Sequence, residues 1–413
     1  MSGESLRALG LPSGRDEAWK YAARTLSRRD WWSAPADALS LPEKAAIDAA
    51  VLPVEAPVLV FAGGHAVPRA LGGFGALPAG VSLRPLAEEA VKAPTGDSGE
   101  HRVAAIAAAT TPGAWELAVA ANVDAGSLQL LHLPAPGAGA LVLRIRLARG
   151  ARLQLLESLA DGESAPLTSG ASGNIPANSA AIIPAKSAVN AAPATLIRWL
   201  QVQLADGASL THAIVQQLPL DAALLEQLDI SVGRDATYLA LPVSLGAQAA
   251  HTAAHLSLDG PMACGHWQQF LRVDGNQHTD VQLTVTHAAA NTTSTQAVRA
   301  LAGGRSRGAF SGKVVMPPSA HGADSAQSIR NLLLSATAEL DTRPQLEIHV
   351  DDVKASHGST TGSLDQQALF YLRSRGIGEQ EARRLLMQAF AADVIARLPW
   401  PSLREWLATR VLP

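Results

Sequence analysis

The sequence predicts a mainly β protein whose central strands stack as a solenoid of the parallel β-helix type, with a β-sandwich as the competing arrangement and helical segments at both ends. Three observations carry this reading. From about Glu100 to His349 the helical period is largely absent, and short runs of alternating apolar residues are separated by turn residues at intervals of roughly ten to twenty. Within that region Arg149-Gly150-Ala151, Asp206-Gly207-Ala208 and Leu245-Gly246-Ala247 each place a Gly-Ala turn before a strand-like stretch, a degenerate repeat suited to coils that pair only with their neighbours. Helical spacing returns only near the two ends.

Asp16 and Glu17 open a helical run through Trp19, Tyr21, Ala22 and Leu26, with acids in its first turn and Arg28 and Arg29 near its end. After Pro53 and Pro57, Val58-Leu59-Val60-Phe61 reads as a short strand, and the Gly/Pro-rich stretch from Gly63 to Gly80 as a connector with one or two strands. Later in the middle, Val281, Leu283 and Val285 alternate with Gln282, Thr284 and Thr286 after a turn at Asp274-Gly275. Ser363 and Gln366 form a capping box before Leu364, Ala368, Leu369 and Leu372, with Gly376 as the stop. A second helix carries Ala382, Leu385, Leu386, Ala389, Phe390 and Val394 up to Pro399, and a third starts near Pro401. These helices carry more apolar surface than they can bury among themselves, so they must pack on the middle region or on another protein. The expected division is residues 1–95, an N-terminal helical domain and connector; 96–358, the solenoid; and 359–413, a C-terminal helical domain.

Composition narrows the function. The 413 residues are 47% apolar and 17% charged, as in a folded chain, and the net charge of −3 supplies no field to hold nucleic acid. There is neither a basic-then-apolar leader nor a run of 18 apolar residues, so no membrane is expected and a cytoplasmic location is. Cys264 is the only cysteine; no internal disulfide and no Cys-based zinc or iron-sulfur site can be built from this chain alone.

The short motifs are weak. Gly304-Arg305-Ser306-Arg307-Gly308 matches a nucleophile elbow, but the strand-to-helix context is missing. Gly308 to Lys313 lacks the spacing of a phosphate loop and has Val314 where a magnesium-binding hydroxyl belongs. His251, His255, Cys264 and His266 have metal-binding side chains, yet hydrogen-bonded or exposed histidines on a β surface fit the pattern better. The densest polar region runs from Asp341 to Gly358, where His357 beside Gly358 is a candidate ligand or proton carrier.

These last segments carry a resemblance. Ser306 through Gly312-Lys313-Val314-Val315, Ser328-Ile329-Arg330-Asn331-Leu332-Leu333-Leu334-Ser335, Asp341 to Glu347, Asp351-Asp352-Val353-Lys354, Ser356-His357-Gly358 and Leu369-Phe370-Tyr371-Leu372-Arg373-Ser374-Arg375-Gly376-Ile377 are similar to the SufB/SufD family of iron-sulfur cluster assembly subunits. Near the start, Gly10-Leu11-Pro12 and Glu17-Ala18-Trp19-Lys20-Tyr21 also resemble it. The match is dense from about Gly304 to Val394. The resemblance implies a right-handed parallel β-helix between helical domains, and Gly358 with the single cysteine favours the SufD branch over the SufB branch.

The same resemblance implies a non-enzymatic scaffold that pairs with a SufB homologue through the β-helix cores and docks the SufC ATPase through its C-terminal helices. It implies a transient iron-sulfur cluster at the SufB interface, with His357 as imidazole ligand or as base for a partner thiol. Tyr371, Leu372, Arg373, Ser374, Arg375 and Gly376 are the SufC-docking candidates. Several relatives carry a cysteine two residues before this histidine; Ala355 stands there, so that thiol is not required here. The alternatives are a SufB-like homodimeric scaffold and a carbohydrate-active β-helix enzyme, for which the adjacent Asp351 and Asp352 make a poor catalytic pair.

Overall fold

The computed structural model describes residues 19–21, 23–26, 42–67, 76–87, 91–92, 101–135, 137–160 and 194–410. In chain order these form α1 (Ala23–Leu26), α2 (Lys44–Ala50), β1 (Val58–Ala62), β2 (His65–Ala66), β3 (Val81–Leu86), α3 (Arg102–Thr110), β4 (Ala114–Val119), β5 (Asp124–Leu133), β6 (Gly137–Leu147) and β7 (Arg152–Leu159). Then follow β8 (Ala194–Leu204), β9 (Ser209–Gln216), β10 (Ala223–Val232), β11 (Thr237–Ser244), β12 (Ala249–Leu258), β13 (Cys264–Val273), β14 (His278–His287) and β15 (Thr293–Ala302). The chain ends with β16 (Arg307–Met316), β17 (Asp324–Leu333), β18 (Glu339–Ile348), β19 (Lys354–Ser363), α4 (Gln366–Ser374), α5 (Glu379–Ile395) and α6 (Pro401–Arg410).

From β4 onward odd-numbered strands join one sheet and even-numbered strands the other, each parallel to the strand one coil away. The result is a two-sheeted parallel β-solenoid, ten strands on one side and nine on the other among the described residues. Thr237 pairs with Cys264, Cys264 with Thr293, Thr293 with Asp324 and Asp324 with Lys354, so the coils remain in register. Alternate residues point inward and close a continuous apolar core through Leu155, Leu200, Leu228, Leu256, Val285 and Val314. At the corners before β7 and β9, Gly150 and Gly207 have φ of +66° and +67°, a backbone shape that costs an L side chain roughly 1–2 kcal/mol. The third Gly-Ala turn lies at the opposite corner, before β12, where Ala247 takes the positive φ. That shift in position explains why the repeat reads as degenerate.

Both outer faces are covered. Trp19, Leu26 and the α3 residues Val103, Ile106 and Ala107 pack on the nine-stranded sheet through Ile197, Trp199 and Leu225. Met387, Ala391 and Val394 of α5, with Leu403 and Leu407 of α6, pack on the ten-stranded sheet through Val215, Val243 and Phe270. The C-terminal helices therefore find their main apolar partner within the chain. Arg299 of β15 pins α5 through Asp393 at 2.5 Å.

Several expectations change. Arg102–Thr110 is a helix within the region read as β-rich; its Val103, Ala104, Ile106 and Ala107 form a buried stripe within an alanine-rich run. The last strand continues to Ser363, beyond the boundary expected at 358, so Ser363 belongs to β19 and cannot cap the next helix. Asp365 is the cap, its carboxylate accepting from the Gln367 and Ala368 amides. Gly376, with φ +87°, ends α4 as the sequence predicts. Gly10-Leu11-Pro12, Asp16, Glu17, Ala18, Ala22, Arg28 and Arg29, and residues 68–75 of the connector, lie outside the described residues.

Candidate functional site

The solenoid ends at β18 and β19. Each coil covers the edge of the one before it, so the final strands have exposed residues where earlier ones are buried. His357 sits on β19 in register with Gln327, which follows Gln296, Trp267, Ala240 and His212 across the sheet. Trp267 belongs to the inward-facing core, so this column faces the interior and His357 is its last, solvent-exposed member. Beneath it the buried Gln327 amide has no protein hydrogen-bond partner at either polar atom. Thr342, Pro344 and Leu346 of β18 occupy the inward-facing positions on the opposite sheet of the same opening.

An exposed imidazole at an open sheet end can bind a metal ion or exchange a proton with a partner group. Alone it does not make a chelating site: among the described residues His357 belongs to no group of three or more His, Cys, Asp or Glu side chains. Cys264 cannot help, because β13 lies three strands from β19, roughly 14 Å at the usual strand spacing. Its thiol is half-buried, burial and the Asp235 charge push its pKa up, and it donates to the Met262 carbonyl. These 413 residues hold no other cysteine that could meet His357.

The six helical candidates fall at the α4 C-terminus and the turn after it. Tyr371, Arg373, Ser374, Arg375 and Gly376 are exposed and Leu372 is partly covered, while Leu369 anchors the helix. Phe370 and Tyr371 are 73% and 56% exposed, with the Arg375 guanidinium 5.2 Å from the Tyr371 ring centre. The helix thus presents an apolar-aromatic face that the described residues leave uncovered.

The other motifs resolve into structure. Ser306 is buried in the turn before β16 and its hydroxyl donates to the Gly303 carbonyl, so it is no nucleophile. Gly308 to Lys313 lies within β16. Cys264 and His266 belong to the opposite sheet from His251 and His255. His251 donates to Asp280 at 3.0 Å and stacks on Trp19. Asp351 and Asp352 form an exposed bend instead of continuing a strand, and Asp352 accepts from His321.

One polar cluster escaped sequence reasoning. Inside the solenoid, fully buried Glu157 accepts from Arg198 (2.5 Å), His132 (2.6 Å) and His212 (2.7 Å), and Arg198 also lies 3.0 Å from Glu226. Tyr238 donates to the free nitrogen of His212. Burial pushes the Glu157 carboxyl upward, but the Arg198 charge and the two imidazole hydrogen bonds hold it well below the usual range. Burial dominates at Glu226 and raises its pKa, while burial and then Arg198 lower that of His132. The only signal in the sequence is a polar residue at an inward-facing position, as in Leu153-Gln154-Leu155-Leu156-Glu157-Ser158-Leu159.

Comparison with known proteins bears on the open end and the helices together. The family model of the SUF-system SufBD core domain, for iron-sulfur cluster assembly, matches residues 176–390, which include His357 and the α4 candidates. A SufBD family iron-sulfur cluster assembly protein of Synechocystis is 31% identical over 208 residues, 49% of this chain and 45% of that protein. A SufBD family protein of Mycobacterium leprae is 34% identical over 188 residues, 44% of this chain and 48% of its own length. The Escherichia coli iron-sulfur cluster assembly protein SufD is 31% identical over 183 residues, covering 44% and 43%. The chain thus spans about half the length of the curated relatives it matches. With a parallel β-solenoid, an exposed terminal coil and just over half of its length matched by one family model, the chain belongs to the SufBD core family of the SUF iron-sulfur cluster assembly system.

Proposed function

We propose that this chain is a SufD-type scaffold subunit, without catalytic activity of its own, that pairs with a SufB homologue at the open solenoid end and docks the SufC ATPase on the exposed face of α4. The iron-sulfur cluster is cargo assembled at the SufB interface, and His357 supplies an imidazole ligand or the base that keeps a partner cysteine as thiolate. The observation that carries this reading is the position of His357: exposed, on the last described strand, in an inward-facing column whose end no described strand covers. A partner strand stacked there buries the edge and brings its own side chains to the imidazole. The lone, distant Cys264 supports a shared site, because soft thiolates must come from the partner.

The test is purification from the native host, with native mass spectrometry and ATPase assay of what stays bound. The expected species contains a SufB-like chain and an ATPase; a lone monomer or a homodimer would refute the heteromeric reading. His357→Ala should leave that complex assembled and lower the cluster it carries, and full cluster yield would remove His357 from the site. Tyr371→Ala should leave stability within about 0.5 kcal/mol of wild type, since the ring is mostly exposed, yet release the ATPase. Undiminished ATPase recovery would refute docking on this face.

A further inference from the structure

Outside the open end, three metal-binding side chains gather on the outer face of the nine-stranded sheet. His101 immediately precedes α3, Asp229 lies on β10 and His255 on β12. Asp229 and His255 are direct register partners on adjacent strands, so the sheet holds them side by side, and α3 brings His101 over them. One ligand-capable atom from each residue lies within 4.8 Å of those of the other two, and all three side chains are half-buried. The His101 and His255 rings are 5.2 Å apart at 33°.

The surroundings hold Asp229 and His101 through hydrogen bonds. The indole of the buried Trp199 donates to Asp229 Oδ2 at 2.6 Å. The wholly buried Gln227 amide donates to both Asp229 oxygens at 3.1 and 3.0 Å and to His101 Nδ1 at 3.1 Å. Its carbonyl accepts from the Ala104 amide of α3 at 3.1 Å, which ties the helix to the same group. Outer hydrogen bonds of this kind fix carboxylate orientation around bound metals, whereas on His101 the Gln227 amide occupies the Nδ1 lone pair, which a metal would take in its place.

We propose that His101, Asp229 and His255 form a binding site for a divalent transition-metal ion of the zinc class, separate from the open end that holds His357. Two imidazoles and one carboxylate are a borderline donor set that suits zinc, cobalt or ferrous iron and disfavours calcium or magnesium. Tetrahedral bonds of about 2.0–2.1 Å place donor atoms roughly 3.4 Å apart, so each pair closes by no more than about 1.4 Å from the observed limit. Closing that distance requires His101 to give up its Gln227 hydrogen bond and the His255 side chain to rotate. Binding ties α3 to β10 and β12 and leaves a fourth position open to water or to another molecule.

The experiment is titration of the untagged, chelator-treated full chain with Co²⁺, read by visible d–d absorption, and with Zn²⁺, read by calorimetry. The same titrations on His357→Ala separate this site from the open end. The expected result is one tightly bound equivalent with a tetrahedral-type cobalt band, retained in His357→Ala and in the surface control His321→Ala. Affinity should fall at least about tenfold in each of His101→Gln, Asp229→Asn and His255→Gln, with circular dichroism confirming the fold. Absence of a cobalt band in wild type would overturn the proposal, as would unchanged affinity in folded His255→Gln and His101→Gln.

Discussion

Substituting Gln for Glu157 tests whether the buried ionic cluster holds the solenoid together or merely fills it. Glu157 is fully buried and accepts from Arg198, His132 and His212. Gln preserves its volume but removes the charge opposite Arg198 and turns one acceptor into a donor facing existing donors. Removing one partner of a buried pair costs about 3–5 kcal/mol, because the other charge remains out of water. Glu226, 3.0 Å from Arg198, limits the loss: burial raises its pKa in the wild type, and without Glu157 it must ionise to balance the guanidinium. At about 2 °C per kcal/mol for a large domain, the melting temperature should fall roughly 6–10 °C at pH 7. Glu226→Gln alone should cost about 1 kcal/mol or less, whereas the double variant should lose at least about 1 kcal/mol more than the sum of the two. Thermal and urea unfolding of the four proteins measures this. A Glu157→Gln protein within about 1 kcal/mol of wild type, or strict additivity, would refute the account. The pH dependence has a definite sign. The folded Glu157 pKa is depressed, so its contribution is present above the ordinary carboxylate value of about 4.3 and is lost as pH falls through the folded value. Glu226 acts in the opposite direction, favouring the fold below that value and opposing it as pH rises through its elevated pKa.

Two further outcomes follow from single residues. His287 is buried between Thr292 and Ser294, and burial lowers its pKa to about 4; stability should therefore decline as pH drops from about 6.5 toward 4, and His287→Asn should flatten that slope in pH-dependent unfolding. A Cβ on Gly246 would lie 2.2 Å from the Leu218 carbonyl oxygen and 2.5 Å from its amide nitrogen, so both strands of that corner would have to shift. Gly246→Ala should cost about 3 kcal/mol in urea unfolding, and a cost below about 1 kcal/mol would show that the corner yields easily.

The β character of the middle was legible because inward and outward residues alternate, as at Val281, Leu283 and Val285, and because Gly150 and Gly207 mark corners that need a positive φ. The C-terminal helices were equally legible from their apolar spacing and the Gly376 stop. Helix α3 was hidden because alanine fits both periods, and only burial under Trp19 and against Trp199 selects the helix. Asp365 displaced Ser363 as the cap because β17 keeps Leu333 paired with Ser363, which draws the strand five residues past the expected boundary.

What the sequence by itself determined is local: strand alternation, corner residues, helix stops, the absence of a second cysteine and the motif around His357. Tertiary structure alone decided which distant residues meet. Glu157 joins His132, Arg198, His212 and Glu226 only because parallel coils return the chain to neighbouring inward positions. Asp229 meets His255 by the same register, and His101 reaches them only when α3 closes over the sheet. His357 is exposed for the complementary reason: it occupies that repeating inward position in the last coil, where no further strand of the described chain covers it.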